Sequence, residues 1–90
     1  MRTAVLIALF ASLAAATAVR ATGFGKPCTS EPEEKWLKIE ELEKKAAEQG
    51  YTVAKSKIKN QCAEIYARDK QGNRIELFLD PATGNIVGQQ

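Results

Sequence analysis

Cys28 and Cys62 are the only cysteines in a chain of 90 residues that has no histidine. Thiols can pair, bind a metal or exchange in redox catalysis, and the spacing sorts these options. Redox pairs are characteristically Cys-x-x-Cys, and a metal site wants more ligands than two thiols. An even number of cysteines in an exported chain forms a bridge in an oxidising compartment. Closing a loop of about 35 residues contributes roughly 3.5 to 4 kcal/mol in the chain-entropy model. Without histidine there is no usual neutral-pH general base, no Ser-His or Cys-His pair and no imidazole for zinc. Glu31, Glu33, Glu34, Glu40, Glu41, Glu43 and Glu48 fall in one polar helical run, where solvated charge is the expected state. The residues therefore predict a structural disulfide between Cys28 and Cys62, no catalytic residues, no metal ligands and no cofactor.

That bridge depends on export, and the N-terminus supplies the address. Arg2 is a positive n-region, Ala4 to Ala16 an apolar h-region interrupted by Ser12, and small residues follow. Cleavage after Ala18 fits the Ala16-Thr17-Ala18 frame, and cleavage after Ala21 fits Val19-Arg20-Ala21; the first is preferred because both recognition positions are alanine. The run falls short of the roughly 20 apolar residues of a membrane anchor and ends at Arg20. Residues 1–18 thus read as a signal peptide and residues 19–29 as an extended arm. Residues 30–90 are the folded domain. A periplasmic or secreted location in a Gram-negative bacterium is expected.

Removing residues 1–18 leaves 12 basic against 11 acidic side chains, a net charge of +1. So small an excess offers nothing to a nucleic-acid backbone, which wants a dense basic stripe with interleaved aromatics. Lys55, Lys57 and Lys59 alternate and would share one side of a strand, either as a solvated face or as a docking patch for an acidic partner.

The elements that position these groups follow from periodicity. Ser30 with Glu33 fits a capping box, Pro32 sits in the first turn, and Glu31 to Gln49 are good helix formers. Ile39, Leu42 and Ala46 stay within an arc of about 60°, with Trp36 at its edge and Leu37 well away. Gly50 is the expected left-handed stop, with Tyr51 folding back. Period two then takes over. Ile58 is out of phase with Tyr51 and Val53, which predicts a bulge near Ala54 to Ser56. Asn60-Gln61 is a turn, Cys62 to Arg68 a strand, residues 69–73 a hairpin loop and Arg74 to Asp80 the clearest strand. Residues 80–85 form a turn before a short edge strand at Ile86-Val87.

Pairing Ala67 with Ile75, Ile65 with Leu77 and Ala63 with Leu79 turns both apolar sets toward the helix. The fold class is α+β: one N-terminal helix on one face of a three- to four-stranded antiparallel sheet, in the order α-β-β-β. The expected core is Trp36, Ile39, Leu42, Ala46, Ile65, Ile75, Leu77 and Leu79. The same register sets Tyr66 opposite Glu76 and Glu64 opposite Phe78 on the far face. Those four residues form a candidate binding face, the alternative being cross-strand packing partly covered by the arm. An exposed edge could also accept an extended peptide as an added strand. Neither loop reads as a calcium site: residues 69–73 lack the repeated acidic spacing and distal Glu, and residues 80–85 offer one carboxylate.

Taken together, Trp36 before a helix, Gly50-Tyr51 with Lys57-Ile58-Lys59, Cys62 to Ala67 leading to Asp69-x-x-Gly72, and Asp80-Pro81-x-Thr83-Gly84-x-Ile86-Val87 resemble a PepSY-like domain. The resemblance is to the short, stand-alone exported kind of Gram-negative bacteria, and it spans Ser30 to Val87. It implies a helix packed on a small antiparallel sheet and supplies no catalytic residues. Longer relatives occur in propeptides of thermolysin-type metallopeptidases, associated with peptidase inhibition or regulation. The expected function is an exported non-enzymatic binding or regulatory module with a protein or peptide partner. An accessory subunit docking on a membrane redox or metal-uptake complex is the alternative, and a free-standing structural domain the minimal reading. After cleavage no stable membrane insertion is expected.

Overall fold

The computed structural model describes residues 23–90. The expected signal peptide and both cleavage frames lie outside them. Among the described residues one α-helix, α1 (Ile39–Glu48), is followed by four strands, β1 (Thr52–Lys59), β2 (Cys62–Arg68), β3 (Arg74–Leu79) and β4 (Ile86–Gln89). They form an antiparallel meander in the order β1-β2-β3-β4. The α+β architecture is as expected from the sequence.

The helix is shorter at its start than the predicted Glu31 to Gln49. Glu33–Lys35 make one 3-10 turn, Trp36 is extended at ψ 150°, and Lys38 is the N-cap without a side-chain cap bond. The cause is tertiary. The Leu37 N–H donates to Pro81 O at 2.9 Å, which holds residues 36–38 against the β3–β4 turn and interrupts the helical ladder. Ser30 makes no capping box; the Glu31 N–H donates instead to Thr29 Oγ1 at 3.1 Å. At the other end Gly50 adopts φ 101°, and the Tyr51 N–H reaches back to Ala46 O at 3.3 Å. Only glycine takes that backbone without strain, so the helix stops there as predicted.

Leu42, Ala46, Ala63, Ile65, Ala67, Leu77 and Leu79 form the buried core between helix and sheet. Ile39, Ile75, Tyr51, Val53 and Ile86 pack around it half-buried. Two expectations change with the helix start. Trp36 lies outside this cluster, half-buried, with its indole N–H donating to Glu31 O at 2.9 Å. Leu37, freed from helical phase, packs on the core instead. The small Ala63 and Ala67 leave room on the sheet for Leu42 and Ala46, all four at or below 5% exposure.

The sheet register matches the expectation pair for pair: Ala63 faces Leu79, Ile65 faces Leu77 and Ala67 faces Ile75. The register shift between Val53 and Lys55 is the predicted bulge, and it puts Ser56 and Ile58 opposite Ile65 and Ala63. Asn60 and Gln61, at φ 55° and 64°, make the tight β1–β2 turn, the pattern of a two-residue hairpin whose twist suits its strands.

Candidate functional site

Because side chains alternate across a strand, the parity that buries Ile65 and Leu77 sends Cys62, Glu64, Tyr66 and Arg68 to the opposite face with Arg74, Glu76 and Phe78. Lys55, Lys57 and Lys59 join that face from β1, opposite Tyr66, Glu64 and Cys62. Among the described residues no helix covers this side. The arm covers half of it.

In the closed half, Cys28 and Cys62 are disulfide-bonded, with Cα atoms 4.8 Å apart. The Cys28 N–H donates to Gln61 O at 3.3 Å, and Gln61 Nε2 donates to Thr29 O at 3.1 Å, so the arm is tied to the β1–β2 turn. From that anchor it runs back over the sheet and stacks Phe24 on Phe78, ring centroids 5.1 Å apart at 27°. Phe78 is left 1% exposed. Gly88, paired with Phe78 across β3–β4, shapes the seat: a Cβ there would run into the Phe24 ring. Lys26 Nζ sits 5.6 Å from the same ring centroid.

Glu64 is the charged residue buried beneath this cover, 2% exposed. Burial, and next the nearby negative charge of Glu76, push its carboxyl above the ordinary carboxylate value; Lys57 pulls the other way. Lys57 Nζ lies 3.9 Å from Glu64 Oε1.

The open half has a different chemistry. The cations of Lys55 and Lys57 stand 5.2 and 5.8 Å from the centroid of the Tyr66 ring. A groove of ≈ 600 Å³ runs from Ala54 and Lys55 across Tyr66 and Arg68 to Arg74, Glu76 and Gln90. Glu76 exchanges both backbone hydrogen bonds with Gln90, at 2.8 and 2.9 Å, which fixes the groove's β4 side.

The structure thus divides the four-residue binding face expected from the sequence. Phe78 and Glu64 are covered by the arm and are not available as a surface. Tyr66 and Glu76 line the open groove. The residues that sequence reasoning passed over are Phe24 and Gly88 in the closed half and Arg68 and Arg74 in the open one. Phe24 carried a signal: a lone aromatic between two glycines, four residues before an anchored cysteine, is placed to reach the sheet. Among the described residues no three His, Cys, Asp or Glu converge on a metal-sized site. Both loops use their acids for turn bonds. Asp69 Oδ1 accepts the Gln71 and Asn73 N–H groups at 2.9 Å each, and Asp80 Oδ1 accepts that of Ala82 at 2.8 Å.

Residues 4–90 match the family model described as peptidase propeptide and YPEB domain, beyond both ends of the Ser30 to Val87 resemblance. No curated protein and no solved structure matches the chain.

Proposed function

The chain belongs to the peptidase propeptide and YPEB domain family, and from that premise we propose that it is an exported, non-enzymatic module that regulates a peptidase by binding an extended segment of it. The observation that carries this reading is the half-open sheet face. The arm seals one half of this face by stacking Phe24 on Phe78, and the adjoining half keeps a groove of ≈ 600 Å³ beside the Tyr66 ring. Clefts with convergent polar groups and an aromatic floor are where ligands bind. Among the described residues β1 is an outer strand of the sheet, and its Ala54 and Lys55 line this groove, where an extended segment could pair as an added strand.

Export follows from the n-region, h-region and small-residue frame of residues 1–18, and the periplasm is where the Cys28–Cys62 bridge is maintained. Among the described residues no helix is long and apolar enough to cross a membrane. Mass spectrometry of the mature protein from a periplasmic extract is expected to show an N-terminus at Val19.

The test of the regulatory reading is titration of the purified, disulfide-bonded protein into a thermolysin-type metallopeptidase turning over a fluorogenic peptide, with crosslinking in periplasmic extract alongside. A saturable change in turnover is expected, lost in Tyr66→Ala. Unchanged turnover together with crosslinks confined to a membrane redox or metal-uptake complex would replace this reading with that of an accessory subunit.

A further inference from the structure

The groove on the open half of the sheet carries a charge pattern that folding does not account for. Arg68 and Arg74 are direct cross-strand partners at the end of the β2–β3 ladder. Like charges facing each other across a ladder destabilise it. Lys55 lines the same groove one row along, its ammonium over the Tyr66 ring. The one ion pair among the described residues is Lys57–Glu64, so Lys55, Arg68 and Arg74 have no acidic partner there. Arg68 makes a hydrogen bond through Nη1 to Gly72 O at 2.8 Å, which orients its guanidinium and leaves its charge unneutralised. The groove's acid, Glu76, is held from the side by Gln90 Nε2 at 3.4 Å. Three cationic side chains against one acidic side chain, around a half-buried tyrosine, give the groove a positive excess of side-chain charge in a chain whose basic and acidic residues nearly balance.

We propose that this groove binds an acidic, extended peptide segment whose carboxylate bridges Arg68 and Arg74 while a neighbouring apolar side chain lies on Tyr66. The inference rests on the peptide-binding reading above and adds the charge class of the partner. The chemistry follows from the geometry. Guanidinium groups form charge-assisted, often bidentate hydrogen bonds with carboxylates, and a carboxylate between the two arginines turns a repulsive pair into an attractive triad. Alternate side chains of a strand point the same way, so an acidic residue and an apolar residue two positions on would meet the arginine row and the Tyr66 row together. The arginine row and the Tyr66 row lie two residues apart along their strands, matching the side-chain repeat of an extended chain, so we assign the site to a peptide.

The experiment is fluorescence anisotropy with the purified, disulfide-bonded protein and three labelled probes: the hexapeptide Glu-Ser-Val-Ser-Glu-Ser, which sets Glu and Val two positions apart on one face, the same peptide with Gln for Glu, and one with Lys for Glu. Binding to phosphatidylglycerol vesicles is measured beside them. The Glu probe is expected to bind about tenfold or more tightly than the Gln probe, the scale of one charge-assisted hydrogen-bond pair. Its affinity should fall as salt rises. Arg68→Gln and Arg74→Gln should each lose that preference while keeping or raising the thermal midpoint, because each removes the repulsion. Lys35→Gln, in the 3-10 turn and outside the groove's lining, should change nothing. Equal binding of all three probes would overturn the acidic preference and leave the peptide-binding reading standing. Binding of none of them would overturn both, and so would affinity for the vesicles alone.

Discussion

Glu64 shows how one residue records the cost of covering a sheet face. Its carboxyl lies under the arm with Glu76 close by, and the Lys57 ammonium at 3.9 Å compensates it only partly. An acid whose folded value is raised binds its proton more tightly folded than unfolded. Stability therefore falls as pH rises from the ordinary value of 4.5 through the raised one, and levels off above it. Glu64→Gln is expected to be indistinguishable from wild type in acid and more stable at neutral pH, measured by urea unfolding across a pH series. A variant that loses stability at neutral pH instead would show that the Lys57 pair outweighs burial. Asp69 has the opposite sign. The Asn73 N–H, ahead of those of Gln71 and Gly72, favours its charged form, so its contribution is present above 3.8 and is lost as pH falls through the lower folded value.

At the scale of elements, the helix start and the arm were both settled by contacts outside themselves. Lys38 is a poor N-cap, with no side-chain acceptor and a positive charge at the positive helix end. Lys38→Asp is expected to stabilise by about 0.5 to 1 kcal/mol, whereas Ser30→Ala, at the unformed capping box, should stay within about 0.5 kcal/mol of wild type. Thermal melts of the two variants distinguish this helix start from one at Glu31. The arm's seat makes a second prediction. Phe24→Ala removes the ring stacked on Phe78, and Gly88→Ala fills the space that ring occupies. Each should cost about 1 to 2 kcal/mol, and because both undock the same contact the double variant should be no worse than the more severe single one. Full additivity in a double-mutant cycle would mean that Phe24 and Gly88 act separately.

For the molecule as a whole, the core is small: of its seven fully buried members three are alanine. The tie between arm and sheet matters correspondingly more. Replacing Cys28 and Cys62 together by Ser should cost about 2 to 4 kcal/mol in urea unfolding, a large share of the stability of a domain this size. Hydrogen exchange on this Cys-to-Ser double variant should show loss of protection first at the position-28 amide and over β4, where the arm lies on Gly88, and last at the central β2 and β3. Uniform loss across the sheet would mean that the arm and the sheet open as one cooperative unit.

Sequence alone determined the sheet register, the Ala54 bulge, the Gly50 stop and the Cys28–Cys62 pairing. Each rests on a local or binary constraint: period-two alternation with one buried face, a residue type tied to a backbone conformation, or two thiols with one possible connectivity. The α+β class followed from the same patterns. Three things were decided only in three dimensions. The helix begins at Ile39 because Pro81 O, far along the chain, takes the Leu37 N–H. Phe78 and Glu64 are sealed because a ring at position 24 finds a glycine at position 88. The Arg68–Arg74 pair was implicit in the predicted register, but the groove they line is closed on its β4 side only because Gln90 pairs with Glu76. Those contacts join residues with no periodic relation to each other, so propensity and spacing carry no trace of them until the chain has closed on itself.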